Sequence, residues 1–295
     1  MPAGTMHADE AVIDASLVRR LLAEQFPRWA ELPLERVESA GTVNALYRLG
    51  DAMAVRLPRI AGGADDVAKE HAWLPRLAPL LPCPVPEILD VGTPGAGYPW
   101  DWAVMRWLDG DLPEPDALTD ADALAADLGA FVAALREIDL PDGPTAYRGV
   151  PLATVDAETR SAIDALRGTI DTRAATAAWE EALAAPPWAG PPLWVHSDLM
   201  PMNLLTRRGR LTAVLDFGTL GTGDPACDLI PAWNLLPAGA RPLFRAAAGA
   251  DEAGWARGRG WALSMALIQL PYYRTTNPVM AANATHVIRE VLAER

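Results

Sequence analysis

Two cysteines are all that 295 residues contain, Cys83 and Cys227. They lie far apart and lack metal-site spacing, which excludes a disulfide framework or a zinc centre and leaves reduced, packed thiols. Lysine is scarcer still: Lys69 is the only one among 25 Lys and Arg residues. Acidic residues number 38 and the net charge is −13, so the basic surface that a phosphate backbone demands is missing and nucleic acid is not an expected partner. That acidic balance keeps a protein soluble and also attracts cations. No apolar run reaches membrane-spanning length. The first residues mix Asp9, Glu10 and Asp14 with apolar side chains rather than setting a basic start before an apolar stretch, so no secretory signal is read. The expected location is cytoplasmic, with no membrane partner.

What is present suits a folded enzyme-sized chain. With 51% hydrophobic and 21% charged residues, the composition is globular, and the length suggests two lobes. An amphipathic helix follows Asp14, with Leu17, Val18, Leu21 and Leu22 on one face. Three strand-like runs come next, Arg36 to Ser39, Ala45 to Leu49 and Met53 to Leu57. The connection holding Gly41, Thr42 and Asn44 is a candidate phosphate loop, although an ordinary hairpin turn has the same composition. Arg56 lies on the third strand, and the helix expected over residues 65–77 offers Glu70 as its ion-pair partner. Lys69 points about 100° away from Glu70 on that helix and reads as a surface residue. Pro82, Pro84 and Pro86 then stiffen an extended connection. Two further strands are expected, Glu87 to Val91 and Trp102 to Trp107. The backbone of Arg106, Trp107 and Leu108 becomes the candidate for reading a purine edge.

Beyond Gly110 the pattern turns helical, with Leu124, Leu128, Phe131, Val132, Leu135 and Ile138 forming a core stripe. Residues 141–155 read as loop and 156–184 as one or two helices. Pro191 to Val195 reads as a strand feeding His196-Ser197-Asp198-Leu199-Met200-Pro201-Met202-Asn203. Asn203 to Thr206 and Leu211 to Leu215 are expected to form a hairpin that ends at Asp216-Phe217-Gly218. An Asp, an Asn five positions later, and an Asp before Phe-Gly reproduce the order of a phosphotransfer site. Asp198 is the candidate base near an attacking hydroxyl. Asn203 and Asp216 are hard oxygen donors suited to Mg²⁺. His196 is expected to position the loop rather than move a proton.

With Gly223-Asp224-Pro225 and Asp228-Leu229 added, the run from Trp194 to Leu229 resembles the aminoglycoside phosphotransferase family, protein-kinase-like kinases of small molecules. Ser197 stands where that family usually has Gly; being small, it is expected to keep the loop conformation. Asp224 and Asp228 are expected to bond loop amides and arginines. The resemblance implies an α+β, two-lobed protein-kinase-like fold, with a small antiparallel-sheet N-lobe over residues 1–107 that binds nucleotide. A mainly helical C-lobe over residues 108–295 would carry catalysis and the acceptor. It also implies Mg²⁺, with ATP or GTP as donor, and Arg56 in the role of the usual nucleotide-lobe Lys. Asp228 stands only twelve positions after Asp216, too few for a peptide-docking segment, which favours a small acceptor. An aminoglycoside or related antibiotic leads, with Asp228, Asp251 and Glu252 as possible sources of negative charge for it. Rival readings are a macrolide, choline-like, sugar or biosynthetic alcohol, or a nucleotide-binding module without transfer. The oligomeric state is left open.

Overall fold

The computed structural model describes residues 11–37 and 43–294. Gly41 and Thr42, of the candidate phosphate loop, lie outside the described residues. The chain divides into two compact units. One comprises the chain up to Pro79 with Pro84–Asp109 and Leu215–Gly218; the other comprises Leu80–Cys83, Gly110–Val214 and Thr219 onwards.

The first unit is a five-stranded antiparallel sheet with two helices. Strands β1 (Leu34–Val37), β2 (Asn44–Leu49), β3 (Met53–Pro58), β4 (Ile88–Gly92) and β5 (Trp102–Arg106) pair in the order β1-β2-β3-β5-β4. Alternation along β2 buries Ala45, Tyr47 and Leu49, whereas β3, a central strand, is buried from Ala54 onwards. Helix α1 (Ala15–Gln25) starts where the Asp14 side chain accepts the Leu17 amide at 2.7 Å. Its Leu17, Val18, Leu21 and Leu22 join Tyr47, Leu57, Trp102 and Val104 in one core. Helix α2 (Ala64–Leu77) buries Val67, Glu70, Leu74 and Leu77. The edge strand β1 starts two residues before the expected Arg36, and its expected end at Ser39 falls outside the described residues. Strand β5 stops at Arg106, so Trp107 and Leu108 are irregular backbone.

The second unit is mainly helical, with α3 (Ala121–Arg136), α4 (Asp156–Ala165), α5 (Thr172–Ala184), α6 (Pro231–Asn234), α7 (Arg241–Ala247), α8 (Glu252–Tyr273) and α9 (Pro278–Ala293). Two small ribbons interrupt the helices, β6 (Leu193–Val195) with β9 (Gly221–Gly223) and β7 (Leu204–Arg207) with β8 (Arg210–Val214). Helix α8 packs against α9, α5 and α4 and is buried nearly all round, which explains why its sequence shows no polar face. Most aromatics in this region are core, as Trp233 and Trp261 show, but Tyr272 is exposed. The β7-β8 turn has positive φ at both Arg208 and Gly209, the geometry that matches strand twist in tight hairpins. A small antiparallel-sheet lobe and a helical lobe thus make up the α+β fold. Among the described residues, no helix is long and apolar enough to cross a membrane.

Candidate active site

In the first unit, β3 and α2 are joined by Arg56 and Glu70. Arg56 Nη1 donates to Glu70 Oε1 at 3.0 Å and Nη2 to Oε2, a two-bond fork with both side chains buried. Burial by itself would lower the Arg56 pKa, but the charge and hydrogen bonds of Glu70, with Asp216 and Asp66 adding, raise it. Arg56 Nε is buried and has no hydrogen-bond partner among the described residues.

The Asp216-Phe217-Gly218 segment belongs to the same unit. Asp216 has φ +57°, a left-handed conformation that costs a non-glycine residue about 1–2 kcal/mol. Phe217 is fully buried and anchors the segment. A Cβ on Gly218 would sit 2.6 Å from Asp66 Cγ, so a larger residue here would displace the Asp66 side chain. Lys69 donates to the Gly218 carbonyl and lies 3.9 Å from Asp66 Oδ1. The surface reading of Lys69 is therefore corrected: the direction 100° from Glu70 faces the Asp-Phe-Gly segment, not water. Desolvation, with Asp216 and Glu70 adding, pushes the Asp66 carboxyl up to about 6 against the pull of Lys69 and Arg56.

The remaining candidates of this unit are spread along its strands. Asn44 opens β2 opposite Pro58, and its carbonyl accepts Arg59 Nε at 3.1 Å. The amides of Arg106 and Trp107 are taken by the carbonyls of Glu87 and Ala52, both at 2.9 Å, and the Arg106 side chain pairs with Glu87. That leaves the Leu108 amide as the hinge donor without a backbone partner among the described residues.

In the second unit, the loop from His196 to Asn203 is built around Asp198. Its amide donates to His196 Nδ1 at 3.2 Å, its carbonyl accepts Asn203 Nδ2 at 2.9 Å, and its Oδ2 faces the same Nδ2 at 3.2 Å. Its Oδ1 accepts Arg148 Nη1 at 3.0 Å. His196 is fully buried, with its Nδ1 on the Asp198 amide. Ser197 has φ +65°, the region that favours glycine. Its hydroxyl donates to the Thr219 carbonyl at 2.9 Å and its amide to Asp228 Oδ1 at 2.7 Å, which hold serine in that conformation. Asp228 also accepts the His196 amide at 2.8 Å. Burial pushes its carboxyl up, opposed by His196 and the two amides. Asp224 pairs with Arg257 and accepts the Ala226 amide. Asn234 supports the loop from α6, donating to the Leu199 carbonyl at 3.0 Å.

The three residues read as sources of negative charge for an acceptor each have a protein contact. Asp228 is used up by loop amides, and Asp251 caps α8 by accepting the Gly254 amide. Glu252 projects into solvent beside Arg245. The residue that sequence reading missed is Arg148, in what reads only as loop; nothing in its neighbours Tyr147 and Gly149 marks it.

The donor chemistry fits Mg²⁺. Among the described residues no group of three or more His, Cys, Asp or Glu side chains could hold a metal, which disfavours an all-protein cage. Mg²⁺ keeps waters and phosphate oxygens and needs only one or two protein ligands. Asn203 turns its amide nitrogen to Asp198, which leaves its Oδ1 as the free hard donor, and Asp216 offers a carboxylate.

Comparison with known proteins bears on the family and the fold. The profile of the phosphotransferase enzyme family, APH, matches residues 35–261, and the chain belongs to that family. No curated protein sequence matches it significantly. Among solved structures, the GDP and kanamycin complex of APH(2")-IIia is similar at 19% identity and a TM-score of 0.71, over 94% of this chain and 99% of that one. A GDP complex of a variant aminoglycoside 2'-phosphotransferase-IIIa gives 18% and 0.75, over 95% and 98%. The macrolide 2'-phosphotransferase from Brachybacterium faecium gives 23% and 0.59, over 93% and 97%.

Proposed function

We propose that this enzyme transfers the γ-phosphoryl group of ATP or GTP to a hydroxyl of a small molecule, with an aminoglycoside or related antibiotic as the first acceptor to test. The observation that carries the reading is the pre-built loop around Asp198, whose carboxylate is oriented on both oxygens while Asn203 Oδ1 is left over. Residues 1–107 with the Asp216 segment would bind the nucleotide, and residues 108–295 would carry the base and the acceptor.

Phosphoryl transfer needs alignment and charge stabilisation more than covalent help. Asp198 would accept a hydrogen bond from the acceptor hydroxyl, aim its oxygen, and take its proton as the bond to phosphorus forms. Asn203 and Asp216 would hold Mg²⁺, which supplies charge neutralisation on the nucleotide phosphates. Arg56, kept in place by Glu70, would bring positive charge toward the nucleotide phosphates, and the Leu108 amide has the chemistry to read a base edge. The GDP complexes among the structural neighbours support including GTP among the donors. Transfer would be direct, with no phosphoenzyme.

A second reading, a less cationic acceptor such as a macrolide, is favoured by one observation. Asp228, Asp251 and Glu252 are all engaged elsewhere, and the side chain paired with Asp198 is an arginine. The test is a mass-spectrometric screen with MgATP and MgGTP against aminoglycosides, macrolides and amino alcohols. A product heavier by one phosphoryl group supports the proposal, and its acceptor class separates the two readings. No product from any class, with nucleotide bound, contradicts it.

A further inference from the structure

We propose that Arg148 is the positioning residue of Asp198, a part of the catalytic apparatus supplied from outside the His196–Asn203 loop. That loop contains no lysine or arginine of its own. Arg148 Nη1 bonds both Asp198 Oδ1, at 3.0 Å, and the Ser197 carbonyl, at 2.9 Å, so one guanidinium nitrogen ties the carboxylate to its own backbone. Asn203 holds the other carboxylate oxygen. The carboxylate plane is thereby fixed from two sides.

The segment bearing Arg148 is itself built to deliver it. The Thr222 amide donates to Pro144, Ala146 donates to Thr222, Tyr147 donates to Thr219, and Asp224 donates to Gly149, at 2.7 to 3.2 Å. Residues 144–149 thus run beside β9, with Thr145 in a single parallel bridge to Thr222. Gly149, at φ +101°, turns the chain away directly after Arg148, close against the Asp224 backbone. Neither side chain is sealed: Arg148 is 18% and Asp198 24% exposed, so the pair is accessible to a ligand. A solvent-reachable ion pair adds little stability. Four backbone bonds and a left-handed glycine are more than such a pair needs for its own sake, and the carboxylate they serve is the one whose direction decides the reaction.

The pairing does not depend on the function proposed above, but its catalytic consequence rests on that reading. Two measurements separate them. Crystal structures of the whole protein and of Arg148→Ala compare the Asp198 side chain: a changed rotamer or a disordered carboxylate is expected, and an unmoved Asp198 overturns the inference, whether or not an acceptor is known. Kinetics with an acceptor from the screen then compare Arg148→Ala and Arg148→Lys. A misaimed base costs on the order of 10²-fold in kcat, with the nucleotide KM within about twofold of wild type; that split is expected for Arg148→Ala, with Arg148→Lys in between. Millimolar guanidinium, but not urea, should restore part of the Arg148→Ala rate. Full activity in Arg148→Ala, or a loss that neither lysine nor guanidinium relieves, overturns the inference. If wild type phosphorylates nothing, the proposed function fails, and the rotamer comparison still decides the positioning role.

Discussion

Among the described residues, Arg56 and Glu70 are the most deeply buried ion pair of the first unit, joined by two parallel hydrogen bonds between β3 and α2. A planar guanidinium suits this fork in a way that an ammonium does not. Removing one member of a buried pair leaves the other charge uncompensated, at a cost of about 3–5 kcal/mol. Glu70→Ala is therefore expected to lower unfolding stability by about that amount, read by urea denaturation. Arg56→Lys keeps the charge but loses the fork, so it should retain fold while nucleotide affinity drops. Equal stability of Glu70→Ala and wild type would show that the pair is not structural.

Lys69 acts one helical position before Glu70, on the Gly218 carbonyl rather than on β3. Lys69→Met keeps the stem and removes the donor. Its expected effect is a rise of several-fold in the apparent Mg-nucleotide dissociation constant, measured by calorimetric titration, with little change in melting temperature. Unchanged affinity would mean that Asp216 is held well enough by buried Phe217.

Ser197 carries opposing contributions. Its left-handed backbone costs about 1 kcal/mol, and its hydroxyl bond to Thr219 contributes about 1 kcal/mol. Ser197→Gly removes both and should be close to neutral. Ser197→Ala keeps the strain and loses the bond, so it should be the less stable variant by about 1 kcal/mol in chemical denaturation. The reverse order would contradict the assignment.

Asp66 makes stability depend on pH. Its carboxyl is raised from 3.8 to about 6 in the folded protein, so the folded state holds this proton more tightly than the unfolded chain. That contribution is complete below about pH 4 and is lost as pH rises through about 6. Without nucleotide or metal, wild type should lose about 2 kcal/mol relative to Asp66→Asn between pH 4 and pH 7. Parallel stability curves for the two proteins would show that Asp66 is not desolvated.

Much of this fold is written in local pattern. Alternation marks β2, a 3.6-residue stripe marks α3, and the motif from His196 to Asp216 names the phosphotransfer chemistry because its residues lie close in sequence. Arg148 was not legible, since it stands fifty positions before Asp198 and reaches it through pairing along β9 that no periodicity announces. Lys69 misled for a related reason: helical geometry gives the direction of a side chain but not what packs there. Charge counts likewise do not show that Asp251 caps a helix and that Glu252 meets a surface arginine.

The most direct measurement compares wild type with Asp198→Ala in phosphoryl transfer and in Mg-nucleotide binding, using the acceptor found in the screen. If Asp198 aims and deprotonates the acceptor hydroxyl, transfer falls by several orders of magnitude while the nucleotide dissociation constant stays within about threefold. Turnover undiminished in Asp198→Ala would contradict the assignment of the base and, with it, the proposed mechanism.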